Sequence, residues 1–240
     1  MRIILIRHAE PDYEHDSLTE KGFREAALLA RRAAGWQVDD VYVSPLGRAQ
    51  ATAQPLLQAL GKTAQTLPWL QEFRGRIRDD GPEGSTIPWD FLPSEWTACE
   101  EQYDVDRWST AAPMEPADGQ PTPAQVYAET CAGLDALLAR YGYDRQGRIY
   151  AVRAHSDATI VCVCHMAISC AMLSHLLNIP FLPLIQGLFL PPSSITVLNT
   201  EEREPGTAAF RCQAIGDASH LRTAGEPLSA SGSFAPLFLG

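Results

Sequence analysis

Met1-Arg2-Ile3-Ile4-Leu5-Ile6-Arg7-His8-Ala9-Glu10 opens the chain. Its four consecutive aliphatics, Ile3 to Ile6, are too few for a buried helix and read as a short strand of a parallel sheet. The run stops at Arg7-His8. In open α/β sheets ligands gather at the carboxyl ends of strands, so a cation and an imidazole at that place suggest a site for an anion. An Arg-His pair that merely ends a strand at the surface is the competing reading, and the rest of the chain decides between the two.

The segments that follow alternate between helical and extended patterns. Thr19 offers an N-cap to a helix in which Phe23, Ala26, Ala27, Ala30 and Ala34 recur at helical spacing up to Gly35. Val41-Tyr42-Val43 is the next strand. Ser44-Pro45 reads as an N-cap followed by proline at the first helical position, opening a helix that carries Arg48 early and ends at Gly61. Thr63 to Leu67 is a third strand. The β-α-β-α-β order implies a mostly parallel sheet with helices on both faces, a three-layer α/β sandwich.

Regularity breaks down across residues 74–121, which contain several prolines together with Trp89, Trp96 and Trp108. Residues 79–118 hold eleven acidic side chains and a single basic one, Arg107, so the net charge of −10 lies in this stretch. It reads as an inserted cap, part helical around Ser94 to Asp104, whose charges form a solvated face. Order returns at Thr122-Pro123-Ala124-Gln125, a capping box. Ile149 to Val152 and Thr159 to Cys164 read as strands. The second delivers His165 into an apolar helix from Ala167 to Leu177. Ser194 to Leu198 and Ala208 to Cys212 read as later strands, and residues 216–240 as an irregular tail. No repeat divides the chain, and residues 1–240 read as one domain.

The acidic balance argues against nucleic acid as a partner. No stretch approaches the ~20 apolar residues that span a bilayer, and the first apolar run is too short for a secretory signal. A cytoplasmic protein is expected. Of the six cysteines, Cys162 and Cys164 point to one face of their strand and Val163 to the other. Their spacing with His165 and Cys170 matches no zinc pattern, and small buried hydrophobes are the favoured reading.

His8 and His165 each follow a strong apolar strand. If those strands are parallel neighbours, both imidazoles sit on one rim of the sheet with Arg7 and Arg48, a socket suited to a tetrahedral dianion. These residues resemble the histidine phosphatase superfamily, the phosphoglycerate mutase-like fold. Arg7-His8-Ala9-Glu10 is similar to its Arg-His-Gly/Ala-Glu signature, and Leu18-Thr19-Glu20-Lys21-Gly22 to the start of its first helix. Ser44-Pro45-Leu46-Gly47-Arg48-Ala49 with Thr52-Ala53 resembles its Ser-x-Leu-x-Arg-Ala block, and Leu70-Gln71-Glu72 the segment with its catalytic acid. His165 and Ser194-Ile195-Thr196 resemble its last blocks.

The resemblance implies that His8 attacks phosphorus and becomes a phosphohistidine, that Arg7, Arg48 and His165 hold the phosphoryl oxygens, and that Glu72 is the acid and base. Arg7 and Arg48 are expected to keep His8 neutral. It implies a phosphomonoesterase needing no metal or cofactor, acting as a monomer or homodimer on a small phosphorylated substrate, with no membrane partner. A phosphoglycerate mutase and a non-catalytic binding protein on the same fold are the alternatives. The chain departs from the family in a short segment after His8, in Glu14 where mutase-type members carry asparagine, and in Met166 where glycine is usual. Tyr13, His15, Arg74 and Met166 are candidate lining residues. Arg74, Arg76 and Arg78 read either as a second anion subsite or as a solvated basic turn. Tyr42, Trp69 and His175 read as core or helix-face residues, while His155 and His220 have no assigned place.

Overall fold

The computed structural model describes residues 1–79, 81 and 83–238. The main elements in chain order are β1 (Arg2–Arg7), α1 (Glu20–Ala33), β2 (Asp40–Val43), α2 (Gly47–Leu60), β3 (Ala64–Thr66), α3 (Pro123–Ala139), β4 (Tyr143–Gln146), β5 (Ile149–Val152), β6 (Thr159–Cys164), α4 (Met166–Leu177), α5 (Phe181–Gly187), β7 (Ile195–Glu204), β8 (Thr207–Asp217) and α6 (Ser219–Ala224). The eight strands form one mixed sheet in the order β3-β2-β6-β1-β7-β8-β5-β4. Neighbours from β3 to β1 pair in parallel, and only β7 and β5 run against the other strands.

Alternation along the central strands sorts their side chains between two cores. Ile4, Ile6, Val41, Val43, Val161 and Val163 face α1 and α2. Ile3, Leu5, Tyr42, Ile160, Cys162 and Cys164 face α3, α4 and α5. Each fully buried aliphatic stabilises the fold by roughly 1.5–3 kcal/mol, and both faces of β1 are closed in this way. The buried cysteines serve as small apolar side chains, and all six are free thiols.

Register then fixes the rim. Arg7 lies opposite Cys164 on β6, and Val163 lies opposite Val43 on β2. The ladder continues one residue further, with the His8 N–H donating to Cys164 O at 2.8 Å and the Ser44 N–H to Val163 O at 3.0 Å. His8, His165 and Ser44 therefore leave three adjacent strands at the same level.

Two expected caps are present. Thr19 Oγ1 accepts from the Gly22 N–H at 3.0 Å, and Thr122 and Gln125 exchange two bonds. The cap expected at Ser44 is not formed. Helix α2 starts at Gly47, and its first donor is satisfied by Asp16 of another loop, Gly47 N–H to Oδ2 at 2.6 Å. That contact requires glycine, since a Cβ at position 47 would stand 2.1 Å from Asp16 O.

The 74–121 segment is built from very short elements. Ile77–Arg78 pairs with Ser85–Thr86, and the helix expected over 94–104 is broken into Pro93–Trp96 and a 3-10 turn at Glu100–Tyr103. Its side chains still reach the core. Trp108 is buried with its ring 5.0 Å from Phe181 and 5.3 Å from Tyr127. The tail expected to be irregular contains α6, which packs on α1. Among the described residues no helix is long and apolar enough to cross a membrane.

Candidate active site

β1 ends by placing Arg7 and His8 inside the protein, 4% and 1% exposed. The Arg7 guanidinium donates from Nη1 to Leu190 O at 2.6 Å and from Nη2 to Ser231 O at 2.9 Å, while Nε has no partner. Burial lowers its pKa, with the Glu72 carboxyl acting in the opposite sense, and a guanidinium stays charged in either case. The second carbonyl comes from the chain after α6, a contact with no trace in local sequence pattern.

His8 Nδ1 lies 2.8 Å from the carbonyl of Ala9. A carbonyl only accepts, so Nδ1 carries the proton and Nε2 keeps its lone pair. The backbone around the ring is pinned from three directions. Ser193 N–H donates to His8 O at 3.1 Å, Ala9 N–H to Thr52 Oγ1 at 2.9 Å, and Glu10 N–H to Glu25 Oε2 at 2.8 Å. The His8 pKa is pushed down to about 3, first by burial and then by the Arg7 charge, with Arg48 adding less. The imidazole is thus neutral as expected, but exclusion of water does more than the arginines.

His165 ends β6, fully buried, with its ring centroid 5.0 Å from that of His8. Its Nε2 is 2.7 Å from Ser44 Oγ, and Nδ1 has no protein partner. Ser44 Oγ already accepts from the Leu46 N–H at 3.2 Å. When Ser44 donates its own proton to Nε2, the imidazole proton sits on Nδ1 and leaves an N–H unused inside the site. Burial, then His8 and the two arginines, drives the His165 pKa down.

Arg48, in the first turn of α2, reaches back to Asp16, Nη1 to Oδ1 at 2.7 Å, with the Tyr13 ring 5.4 Å from its Cζ. Asp16 has a φ of 44°, a left-handed conformation uncommon for a residue other than glycine. Burial opposes its ionisation, but the Gly47 N–H and Arg48 together hold its carboxyl below the ordinary value.

Glu72 lies where the chain passes the N-terminus of α4. Its Oε1 accepts from Phe73 N–H at 2.9 Å and from Ile168 N–H at 3.3 Å. Burial raises its pKa, and this outweighs the Phe73 N–H and the charges of Arg7 and Arg48. A carboxyl whose protonated form persists to higher pH than that of a free glutamate suits proton donation.

A cavity of about 440 Å³ opens against Arg7 and Glu72. Of the four lining residues expected from the sequence, Tyr13 and Met166 contribute to its wall. His15 and Arg74 do not. His15 is turned to Asp12, Nδ1 to Oδ2 at 2.8 Å, and Arg74 pairs with Glu129 on the surface. Arg76 binds Ser85, and Arg78 pairs with Glu115 at 2.9 Å, so the three arginines do not form an anion subsite at this cavity. His155 pairs with Glu202 near Met1 and Arg2, at the opposite end of β1 from His8, and His220 supports Ser193, 3.0 Å from its Oγ. Asp16, Glu25 and Gln186 adjoin the candidate site and were not singled out by sequence, whereas Ser44 and Thr52 stood only as parts of a motif, without the contacts they make. Asp16, Ser44, Thr52 and Glu25 each make a contact distant along the chain, which no local periodicity encodes.

A family model for the histidine phosphatase superfamily (branch 1) matches residues 3–213. A curated relative, a 2,3-bisphosphoglycerate-dependent phosphoglycerate mutase of Bartonella quintana (strain Toulouse), is 30% identical over 129 residues. That match covers 49% of this chain and 59% of the relative, so the chain spans little more than half of the relative's length. Among solved structures, a mycobacterial glucosyl-3-phosphoglycerate phosphatase superposes with a TM-score of 0.59 at 18% identity, covering 90% of this chain and 98% of that one. A mutant phosphoserine phosphatase from Entamoeba histolytica, in complex with phosphoserine, gives 0.61 at 20% identity, covering 92% and 98%. At such identities the structures share the fold with this chain. Together with the match across nearly all of the sequence, they identify the chain as a member of the histidine phosphatase superfamily, branch 1.

Proposed function

We propose that the protein is a phosphomonoesterase that works through a phosphohistidine on His8. The observation that carries this reading is the fixed tautomer of His8: with Nδ1 bound to Ala9 O, a neutral Nε2 is free to attack. In the first step the Nε2 lone pair forms a bond to phosphorus. The bond to the leaving oxygen breaks, and that oxygen takes its electron pair and the proton held by Glu72. In the second step water gives a proton to the Glu72 carboxylate, its oxygen bonds to phosphorus, and the N–P bond returns its electrons to Nε2.

Arg7, Arg48 and the Nδ1–H of His165 stabilise the charge on the transferred group, the main source of acceleration in phosphoryl transfer. Two guanidiniums supply what a metal ion would, so the step needs none. Glu72 adds about 10²- to 10⁴-fold as acid and base. A mutase that exchanges phosphate through 2,3-bisphosphoglycerate is the second reading, favoured by the name of the curated relative.

Hydrolysis of 4-nitrophenyl phosphate with a chelator present tests the proposal. His8→Ala is expected to lose on the order of 10⁴-fold or more, and an acid-labile, base-stable phosphoryl label is expected on His8 of the wild-type protein after a rapid quench. Full activity in His8→Ala overturns the reading, and 3-phosphoglycerate isomerised faster than it is hydrolysed favours the mutase.

A further inference from the structure

We infer that the group esterified to the phosphate is uncharged and largely apolar, so that the substrate is the phosphate monoester of a hydrophobic alcohol or phenol. This deepens the phosphomonoesterase reading and rests on it. A leaving group protonated by Glu72 would extend into the cavity that Arg7 and Glu72 border; His8, Arg48 and His165 are not among its described lining residues. Its walls are Ile87 and Trp89 from the insertion, Met166 from the start of α4, Leu188 and Phe189 after α5, and Phe234 from the chain after α6. At about 440 Å³ it is within the range of pockets that enclose a small organic ligand.

Among the described residues of this wall Arg7 and Glu72 are the charged side chains, and both are committed to the phosphate and the leaving oxygen. A second carboxylate or phosphate, as on a phosphoglycerate, would lose its water against these apolar walls and find no free cation among the described residues there. Arg74, Arg76 and Arg78 are held away by Glu129, Ser85 and Glu115. One polar feature does face an unmet need. Gln186 lines the cavity, and its buried Nε2 has no acceptor among the described residues, so a turn of the amide towards the cavity would let it donate to one ether, hydroxyl or carbonyl oxygen of the organic group.

The experiment compares alkyl phosphates, so that basicity of the leaving oxygen does not decide the outcome. For the wild-type protein, kcat/KM for 2-phenylethyl phosphate is expected to exceed that for 3-phosphoglycerate and for glycerol 3-phosphate by about 10²-fold, the size of discrimination an apolar pocket supplies. Trp89→Ala is expected to reduce this ratio at least severalfold, mostly through KM for the phenylethyl substrate. Circular dichroism confirms that the variant is folded, and Phe234→Ala, at an exposed side chain, provides a second variant if it is not. A ratio near one, or a preference for the charged esters, overturns the inference while phosphohistidine labelling leaves the phosphomonoesterase reading standing. Turnover of none of the esters, with no label on His8, overturns both.

Discussion

The rim of the parallel strands and the cover above it are made from different materials. At the rim, four side chains with charges or ring nitrogens are locked by directional bonds: Arg7 by two carbonyls, His8 by Ala9 O, Arg48 by Asp16 and His165 by Ser44. The cover, drawn from residues 74–121, the chain after α5 and residues 232–235, presents mainly aliphatic and aromatic groups. In the proposed reaction the phosphoryl group needs fixed charge and is the same in every monoester, so the rim has one solution. The organic group differs between substrates, and shape and apolar area suffice to select it. On this division, changes at the rim alter the rate for every substrate, and changes in the cover alter the ranking of substrates.

Glu72 sits at the border between the two and gives the sharpest test. Its carboxyl is raised above the ordinary value, so the protonated form persists to higher pH than for a free glutamate. His8 is already neutral above about pH 3 and sets no limit in the ordinary range. The rate of phosphoryl transfer from an alkyl phosphate is therefore expected to fall as pH rises through the Glu72 pKa. Glu72→Gln should lose about 10²- to 10⁴-fold in kcat and lose that alkaline limb with it. An unchanged limb in the variant would assign the proton to another group and place Glu72 outside the reaction.

Glu25 tests whether the rim is also a strained part of the fold. It is fully buried, accepts from the Glu10 N–H, and has a pKa raised from 4.5 to about 7, chiefly by burial. A carboxyl whose pKa is higher folded than unfolded contributes stability below about 4.5, and that contribution is lost as pH rises towards 7. The full effect is on the order of 3 kcal/mol. Glu25→Gln keeps the acceptor for Glu10 and cannot ionise. The difference in Tm between variant and wild type is expected to grow in the variant's favour from pH 5 to 7 and to level off above. A difference independent of pH would show that Glu25 does not titrate in the folded protein.

These two glutamates also show what a sequence can disclose. β1 and β6 were legible because an apolar run of fixed length ends in a polar residue, and the caps at Thr19 and Thr122 because a cap is a local contact. His8, His165, Arg7 and Arg48 followed once the strands were taken as neighbours. Ser-Pro before a helix fits a cap at Ser44, but α2 starts three residues later and Ser44 Oγ lies 2.7 Å from Nε2 of His165, 121 residues away. Glu25 carries no local signal, because its burial and its bond to the Glu10 N–H depend on the turn of chain after His8. The insertion hid its fold for a different reason, since elements of two to four residues are too short to show a period.

Asp16 refines the picture of a locked rim. It holds Arg48 at 2.7 Å and the first N–H of α2 at 2.6 Å, so one carboxylate sets both the helix start and the guanidinium. Asp16→Asn keeps an acceptor for the Gly47 N–H but removes the charge that orients Arg48. A loss of about 10- to 100-fold in kcat/KM is expected, the scale of a misplaced contact near the reaction, and it should be equal for 2-phenylethyl phosphate and 3-phosphoglycerate. A loss confined to one substrate would mean that the rim takes part in selecting the organic group.

The smallest effect is expected where a residue near the site by sequence lies outside the cavity. Arg74 follows Glu72 by two positions, yet its guanidinium pairs with Glu129 across an exposed surface. Exposed pairs of this kind contribute about 0–1 kcal/mol. Arg74→Ala is therefore expected to leave kcat/KM for both neutral and charged esters within about twofold and to shift Tm little, as is His15→Ala, whose ring is exposed and turned to Asp12. A selective loss for 3-phosphoglycerate in Arg74→Ala would show that the guanidinium leaves Glu129 to meet a bound carboxylate. The cover would then supply charge as well as shape, and its separation from the rim would fail at that residue.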